Sequence, residues 1–272
     1  MIDADGIERP DDPFAHTLEM PHRGKLKKIT KKSQLVKKNP IYKFFCYLLR
    51  IFVMVVLCVV YFFAFRLKVE GKKNKREIKK RVVVVGNHCH VIDVTLFPIT
   101  FMPRMMYITS IPENFQIPVL GGLIKMLGAI PIPTNLSGMR LFNEVTNELL
   151  QDERAVAFMP EGAKWHHYRD LRPFKKGAFT YAVKNGAPVL PAVTTIRIVH
   201  KSLKKKKYRL KLSYLPAIYP DASLPEAEAV EKLKQETHAA MKENIFSESG
   251  HDIFTRHYRR QLEKQEHTAG NN

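Results

Sequence analysis

Residues 44–65, FFCYLLRIFVMVVLCVVYFFAF, are the feature that any fold of this chain has to accommodate. Nine Lys/Arg residues and no acid precede the run between 23 and 43, and nine more Lys/Arg follow in RLKVEGKKNKREIKKR, 66–81. The uncharged part, 51–65, makes a helix of only about 22 Å, whereas all 22 residues, with Arg50 snorkelling, reach about 33 Å against a hydrocarbon core of about 30 Å. A helix that spans a bilayer and one embedded in it both satisfy these lengths. The equal basic flanks set no orientation and suit a segment that enters and leaves on one face. The run starts too far into the chain, and lacks the small-residue site, for a cleaved signal peptide.

Around this segment the chain divides into four parts. Residues 1–22 are acidic and proline-containing and read as a mobile tail. Residues 23–81 form the basic-flanked anchoring segment, 82–250 a folded domain, and 251–272 a basic polar tail. With 272 residues, 45% of them hydrophobic, the chain can bury one large core. Beyond Arg81, strand and helix patterns alternate. RVVVVG, RMMYITS, AVAFMP, PVLPAVTTIRIV and KYRLKLSYL read as strands. SGMRLFNEVTNELLQD, GAFTYAVKNG and the segment after Ser223, which has capping-box spacing to Glu226, read as helices. The expected fold is α/β: a mixed, largely parallel sheet flanked by helices, with an N-terminal hydrophobic membrane-associated helix.

The formal net charge of +19 favours an anionic partner. The lysine clusters flank an apolar helix and are not interleaved with aromatics, which speaks for a phospholipid surface and against nucleic acid. Three cysteines without C-x-x-C spacing give neither a disulfide framework nor a structural zinc site and fit a reducing, cytosolic setting.

The chemistry-bearing residues cluster where strands end. His88 stands three residues past the last valine of RVVVVG, at the strand end where α/β sheets gather their active groups. A neutral histidine can take a hydroxyl proton if a carboxylate fixes its tautomer, and Asp93 is the candidate. On one helix the two side chains would diverge by about 140°, so they meet only if His88 lies in a turn and Asp93 in the first turn of the following helix. The strand AVAFMP delivers Glu161 and Gly162 to the same sheet edge, with Lys164 placed to reach an anion. Cys89 as a nucleophile, and a metal site drawn from His88, His90, Asp93, His166 and His167, are the alternatives weighed against this reading. The expectation is that no metal is bound.

Asn87, His88 and Asp93 match the N-H-x-x-x-x-D motif of the glycerolipid acyltransferases, which include the 1-acylglycerol-3-phosphate acyltransferases. FMPEGAKW, 158–165, resembles that family's F-P-E-G-T-R-S block; GAIPIPT, 128–134, its G-x-I-F-I-D-R block; and APVLPAV, 187–193, its V-P-V-x-P-V-like strand. The resemblance covers about residues 80–200. It implies acyl transfer from acyl-CoA or acyl carrier protein, as co-substrate and without a further cofactor, to the hydroxyl of a lysophospholipid such as 1-acylglycerol-3-phosphate, giving phosphatidic acid. It assigns His88 as base, Asp93 as its orienting partner, and Asn87, Glu161, Gly162, Lys164 and Thr134 to turn and substrate binding. Thr134 and Lys164 stand where the family has arginines, so the phosphate grip calls for help from Arg140, Lys125, Lys175 or Lys176, and a superfamily member with another lipid acceptor is the alternative. A non-catalytic lipid- or nucleic-acid-binding protein is the rival from another class. The protein is expected at a membrane, with its catalytic domain facing the cytoplasm.

Overall fold

The computed structural model describes residues 8, 10–15, 26–89, 93–165, 168, 170–202 and 205–249. A seven-stranded sheet runs in the order β1 (Lys68–Glu70), β7 (Lys205–Tyr214), β6 (Val189–Ser202), β2 (Val82–Gly86), β5 (Ala155–Phe158), β3 (Met106–Ser110), β4 (Ala129–Pro131). Strands β6, β2, β5, β3 and β4 are mutually parallel; β7 is antiparallel to β6 and β1 parallel to β7.

The four valines of β2 show how the sheet is covered. Val82 and Val84 face one hydrophobic cluster, Val83 and Val85 the other, and all four are fully buried. A strand buried on both faces has no use for polar alternation, which is why it reads as an unbroken apolar run. One face is closed by α1 (Lys32–Leu35), α6 (Leu136–Gln151), α7 (Gly177–Lys184) and α8 (Glu226–Ser249) through Leu35, Phe142, Leu150, Phe179 and Leu233. The other is closed by α2 (Pro40–Phe65) and α4 (Asp93–Phe101) through Met54, Tyr61, Leu96 and Phe97. Two short helices, α3 (Lys72–Glu77) and α5 (Leu120–Met126), complete the described elements together with a 3-10 turn at Pro112–Gln116.

Helix α2 begins at Pro40, where Asn39 accepts a hydrogen bond from the Tyr42 amide and proline occupies the first turn. Its buried residues Cys46, Arg50, Met54 and Tyr61, with half-buried Leu57, form one seam at spacings of three and four, and that seam rests on the sheet layer and α4. Phe44, Phe45, Phe52, Val55, Val59, Phe62 and Phe63 point away and are exposed. Among the described residues this is a helix long and apolar enough to cross a membrane. Arg50 does not snorkel along it: the residue is 8% exposed and turns into the domain, donating to the Met126 carbonyl at 2.9 Å.

Three further expectations are corrected. The sheet extends upstream of Val82, because Lys68–Glu70 pairs along β7 and Glu70 is bridged by Lys211 at 2.6 Å and Lys68 at 2.7 Å. The capping box at Ser223 is not made: its amide and hydroxyl donate to Asp221 at 3.1 and 2.6 Å, and the helix starts at Glu226. Within the acidic tail, residues 10–15 are seated on the domain through contacts given below, and the rest of 1–22 lies largely outside the described residues, as does 251–272.

Gly86 closes β2 against α4. A Cβ there would stand 2.3 Å from the Phe97 ring, so only glycine lets the strand end pack this closely. Gly86→Ala is expected to lower stability by about 1–3 kcal/mol, the usual cost of overpacking, with part of the loss recovered by Phe97→Leu. Urea denaturation midpoints of the two variants test this.

Candidate active site

Strand β2 ends at Gly86, and Asn87 is the first residue beyond it. Its side chain is 3% exposed and pairs with β6: Nδ2 donates to the Thr194 carbonyl at 2.9 Å, and Oδ1 accepts from the Thr194 amide at 2.8 Å. This double bond to backbone replaces the ladder where the strand leaves the sheet, so Asn87 fixes the direction in which His88 departs.

His88 then stands in the turn and Asp93 in the first turn of α4, the arrangement that spacing alone required. His88 Nδ1 lies 3.3 Å from Asp93 Oδ2, and the same oxygen accepts the Cys89 amide at 2.8 Å. Asp93 is fully buried, whereas 18% of the His88 side chain is exposed. With Nδ1 protonated towards the carboxylate, Nε2 is left as the acceptor.

The loop after β5 holds the histidine from the other side. Glu161 Oε1 accepts the His88 amide at 3.2 Å, and the Trp165 amide donates to the His88 carbonyl at 3.3 Å. Glu161 is 2% exposed and its second oxygen is 2.6 Å from Arg172 Nη2, on a guanidinium equally buried. Arg172 also donates to the Ala163 carbonyl, donates to the Pro13 carbonyl at 2.9 Å, and lies 4.8 Å from the Trp165 ring centre. Trp165 Nε1 donates to the Ala15 carbonyl at 2.7 Å. Residues 13–15 are thus a strap across the loop. Burial pushes the Glu161 carboxyl up to about 7, against the opposing pull of Arg172 and the His88 amide.

Gly162 takes φ +72°, a left-handed conformation that brings Lys175 close: a Cβ there would be 2.8 Å from its Nζ. That ammonium also faces the Phe14 ring at 4.8 Å. Lys164 senses the site directly, since burial lowers its pKa while the Asp93 carboxylate acts to raise it.

The other expected residues lie further from the pair, Thr134 at the same carboxyl edge of the sheet. Thr134 is exposed beyond β4, the outermost strand, three strand spacings or about 14 Å from β2, and no hydrogen bond among the described residues ties it to His88, Asp93 or Glu161. Lys125 is at the opposite sheet edge, Arg140 is exposed on α6, and Lys176 pairs with Glu231 at 3.5 Å. Cys89 is buried and its thiol is pushed well above its ordinary value by burial, then by the charges of Asp93 and Glu161, so it stays protonated and is no nucleophile. Among the described residues no group of three His, Cys, Asp or Glu side chains could hold a metal ion; His90, His166 and His167 lie outside them. Arg172 and Trp165 were not foreseen. An arginine ahead of Pro-Phe carries no sequence mark of burial, and only the neighbouring carboxylate explains it.

Residues 66–195 match the sequence model of the family described as Acyltransferase. Similar proteins include a chloroplastic 1-acyl-sn-glycerol-3-phosphate acyltransferase of Brassica napus, 34% identical over 133 residues covering 47% of this chain and 36% of that protein. The human 1-acyl-sn-glycerol-3-phosphate acyltransferase beta is 28% identical over 67% of this chain and 66% of its own length. The 1-acyl-sn-glycerol-3-phosphate acyltransferase of Haemophilus influenzae is 27% identical over 47% of this chain and 54% of its own. The match spans only about 36% of the length of the Brassica protein and about 35% of a chloroplastic relative from Arabidopsis thaliana. The crystal structure of the 1-acyl-sn-glycerophosphate (LPA) acyltransferase PlsC of Thermotoga maritima shares the fold, with TM-score 0.52 and 19% identity over 78% of this chain and 85% of that one. The matched segment 66–195 holds His88, Asp93, Glu161 and Arg172.

Two outcomes test the pinning of His88. Arg172→Met removes the cation beside Glu161 together with the bonds to the Pro13 and Ala163 carbonyls and should cost about 3–5 kcal/mol, with the part due to Glu161 recovered when Glu161→Gln is added. Between about pH 4.5 and 7 the folded protein keeps a proton on Glu161 that the unfolded chain has lost, so this group's contribution to stability falls as pH rises through that window. Glu161→Gln should remove that part of the slope in melts recorded across the range.

Proposed function

We propose that this protein is a membrane-associated O-acyltransferase. It moves a fatty acyl group from an acyl thioester, acyl-CoA or acyl carrier protein, to the hydroxyl of a lysophospholipid. The acceptor is 1-acylglycerol-3-phosphate and the product phosphatidic acid. The observation that carries the reading is the His88 Nδ1 to Asp93 Oδ2 approach of 3.3 Å at the mouth of a buried strand, inside the segment that matches the family.

His88 Nε2 takes the proton of the acceptor hydroxyl as its oxygen attacks the thioester carbonyl; the thiolate leaves, and the proton passes from the imidazolium to it. Asp93 holds the tautomer and supports the cation formed in between. This general-base step contributes about 10²–10⁴ in rate. The amides of His88 and Cys89 are already engaged by Glu161 and Asp93, so the thioester oxyanion draws on another donor. Arg172 is committed to Glu161, so Lys164 and Lys175, both on the loop beyond β5, hold the acceptor phosphate as point charges.

The outer face of α2 lies in the bilayer. Because the seam from Cys46 to Tyr61 rests on the domain, the helix lies along one leaflet and does not cross it, with the domain on the cytoplasmic side. Exposed Val119, Leu120, Ile132 and Leu136 lie beyond β3 and β4 at the edge that bears His88, and add apolar surface where a lipid acceptor has to enter.

Purified protein mixed with 1-acylglycerol-3-phosphate and acyl-CoA or acyl carrier protein thioester should release free thiol. His88→Ala is expected to reduce kcat by about 10²–10⁴ with vesicle binding unchanged, and Asp93→Asn to reduce it by a similar factor. Turnover by His88→Ala equal to the parent would sink the proposed base. Acceptors with and without the phosphate, assayed side by side, decide the lysolipid, and faster turnover of the phosphate-free acceptor would count against the grip by Lys164 and Lys175.

A further inference from the structure

The sheet edge opposite His88 carries a cavity of about 720 Å³ between α1, the start of α2, the end of α5 and the first residues of β3 and β4. Its wall is cationic, and only part of that charge is neutralised. Lys32 is paired with Glu144 at 2.9 Å and Glu148 at 2.7 Å, and Lys38 with Glu148 at 3.0 Å. Lys37, Lys43, Arg50 and Lys125 also line it, and no carboxylate among the described residues pairs with any of them. Asp152, at the rim, is exposed.

What Lys37, Lys125 and Arg50 contact is neutral. Lys37 Nζ lies 4.6 Å from the Tyr42 ring centre, and Lys125 donates to the Gln34 carbonyl. Arg50, 8% exposed, donates to the Met126 carbonyl at 2.9 Å and to Met105 Sδ at 3.3 Å, with its guanidinium 5.3 Å from the Tyr107 ring centre. Burial and then the positive charge of Lys37 lower the Lys125 pKa, the mark of like charges held together without an anion between them. Arg50 is buried and Lys125 half-buried, while Lys37 and Lys43 are exposed at the mouth, so the cavity presents like charges that an anion entering it would join.

The position of the cavity says what that is. Ile41, Phe44, Phe45 and Leu48 are exposed on the first turns of α2 next to it, so the apolar face that meets lipid tails begins where the cationic wall ends. Acyl chains packed against the exposed first turns of α2 would set a phosphate at the cavity mouth. We propose that this cavity is a second lipid site, across the sheet from His88, which takes the phosphate-bearing headgroup of an anionic phospholipid of the surrounding leaflet. The proposal rests on the reading that the outer face of α2 is embedded.

The test compares the full chain with two variants of equal charge, the cavity variant Lys37→Gln/Lys43→Gln/Lys125→Gln and the control Lys72→Gln/Lys73→Gln/Lys79→Gln, which changes lysines in and just after α3. Each is floated with phosphatidylcholine vesicles and with the same vesicles carrying phosphatidylglycerol. At about 1 kcal/mol per lysine near an anionic surface, the cavity variant should lose about 100-fold of its affinity for the anionic vesicles, and the control less than about fivefold. Both should bind phosphatidylcholine as the parent does. Equal losses in the two variants would mean that the charge acts diffusely and would overturn the site. Stabilisation of the parent but not the cavity variant by inorganic phosphate, with vesicle binding the same in both, would make it a site for free anion and overturn the lipid source. A parent chain that ignores phosphatidylcholine vesicles would remove the embedding of α2, and the proposal with it, whatever the thioester assay reads.

Discussion

Everything at the site depends on a carboxylate and a guanidinium sharing a dry interior. Glu161 and Arg172 are each 2% exposed, and neither would be tolerable there without the other. Together they hold a hydrogen-bond acceptor under the His88 amide, while the Trp165 amide holds the carbonyl of the same residue. The histidine backbone is therefore gripped on two sides before its ring is oriented by Asp93. Desolvation at Glu161 is the cost of a rigid turn, and the strap at residues 13–15 is drawn into the same network through the Pro13 carbonyl.

Much of this is legible in the residues. Buried parallel strands announce themselves by β-branched runs, and Val82–Gly86, Ala155–Phe158 and Val189–Ser202 lie where those runs stand. The demand that His88 sit in a turn and Asp93 open a helix follows from helical geometry, and the structure meets it. The parts that escape are those in which a charged residue is buried by a distant partner. Lys68–Glu70 looks like the tail of a basic flank, and it becomes a strand by pairing with β7, far along the chain, where Lys211 also bridges Glu70. Arg172 looks like a surface arginine until Glu161 is found beside it. Arg50 looks made to reach water, yet the Met126 carbonyl and the Met105 sulfur receive it inside. Pattern rules see a residue's neighbours in sequence, and each of these depends on a contact made across the fold.

The two edges of the sheet divide the labour. At the carboxyl ends of the parallel strands stand His88, Asp93 and Glu161, with β2 and β5 side by side so that the motif turn and the loop after Phe158 can meet. At the amino ends, the chain places its basic entry segment and the start of α2. Helix α2, about 39 Å long by its residue count, runs from one edge towards the other, with Arg50 at the first and Tyr61 bonded to Thr95 of α4 near the second. One helix thereby links both margins of the sheet.

The seam of α2 has a consequence for how this protein comes apart. Met54, Leu57 and Tyr61 are the lid over Val82, Val84, Leu96 and Phe97, so the greasy helix is a wall of the globule on one side and an exposed apolar face on the other. Clipping such a helix to obtain a water-soluble fragment would strip one side of the sheet bare, leaving a half-covered layer prone to self-association. Detergent or lipid in this protein therefore replaces nothing inside: it dresses the back of a helix whose front is already core.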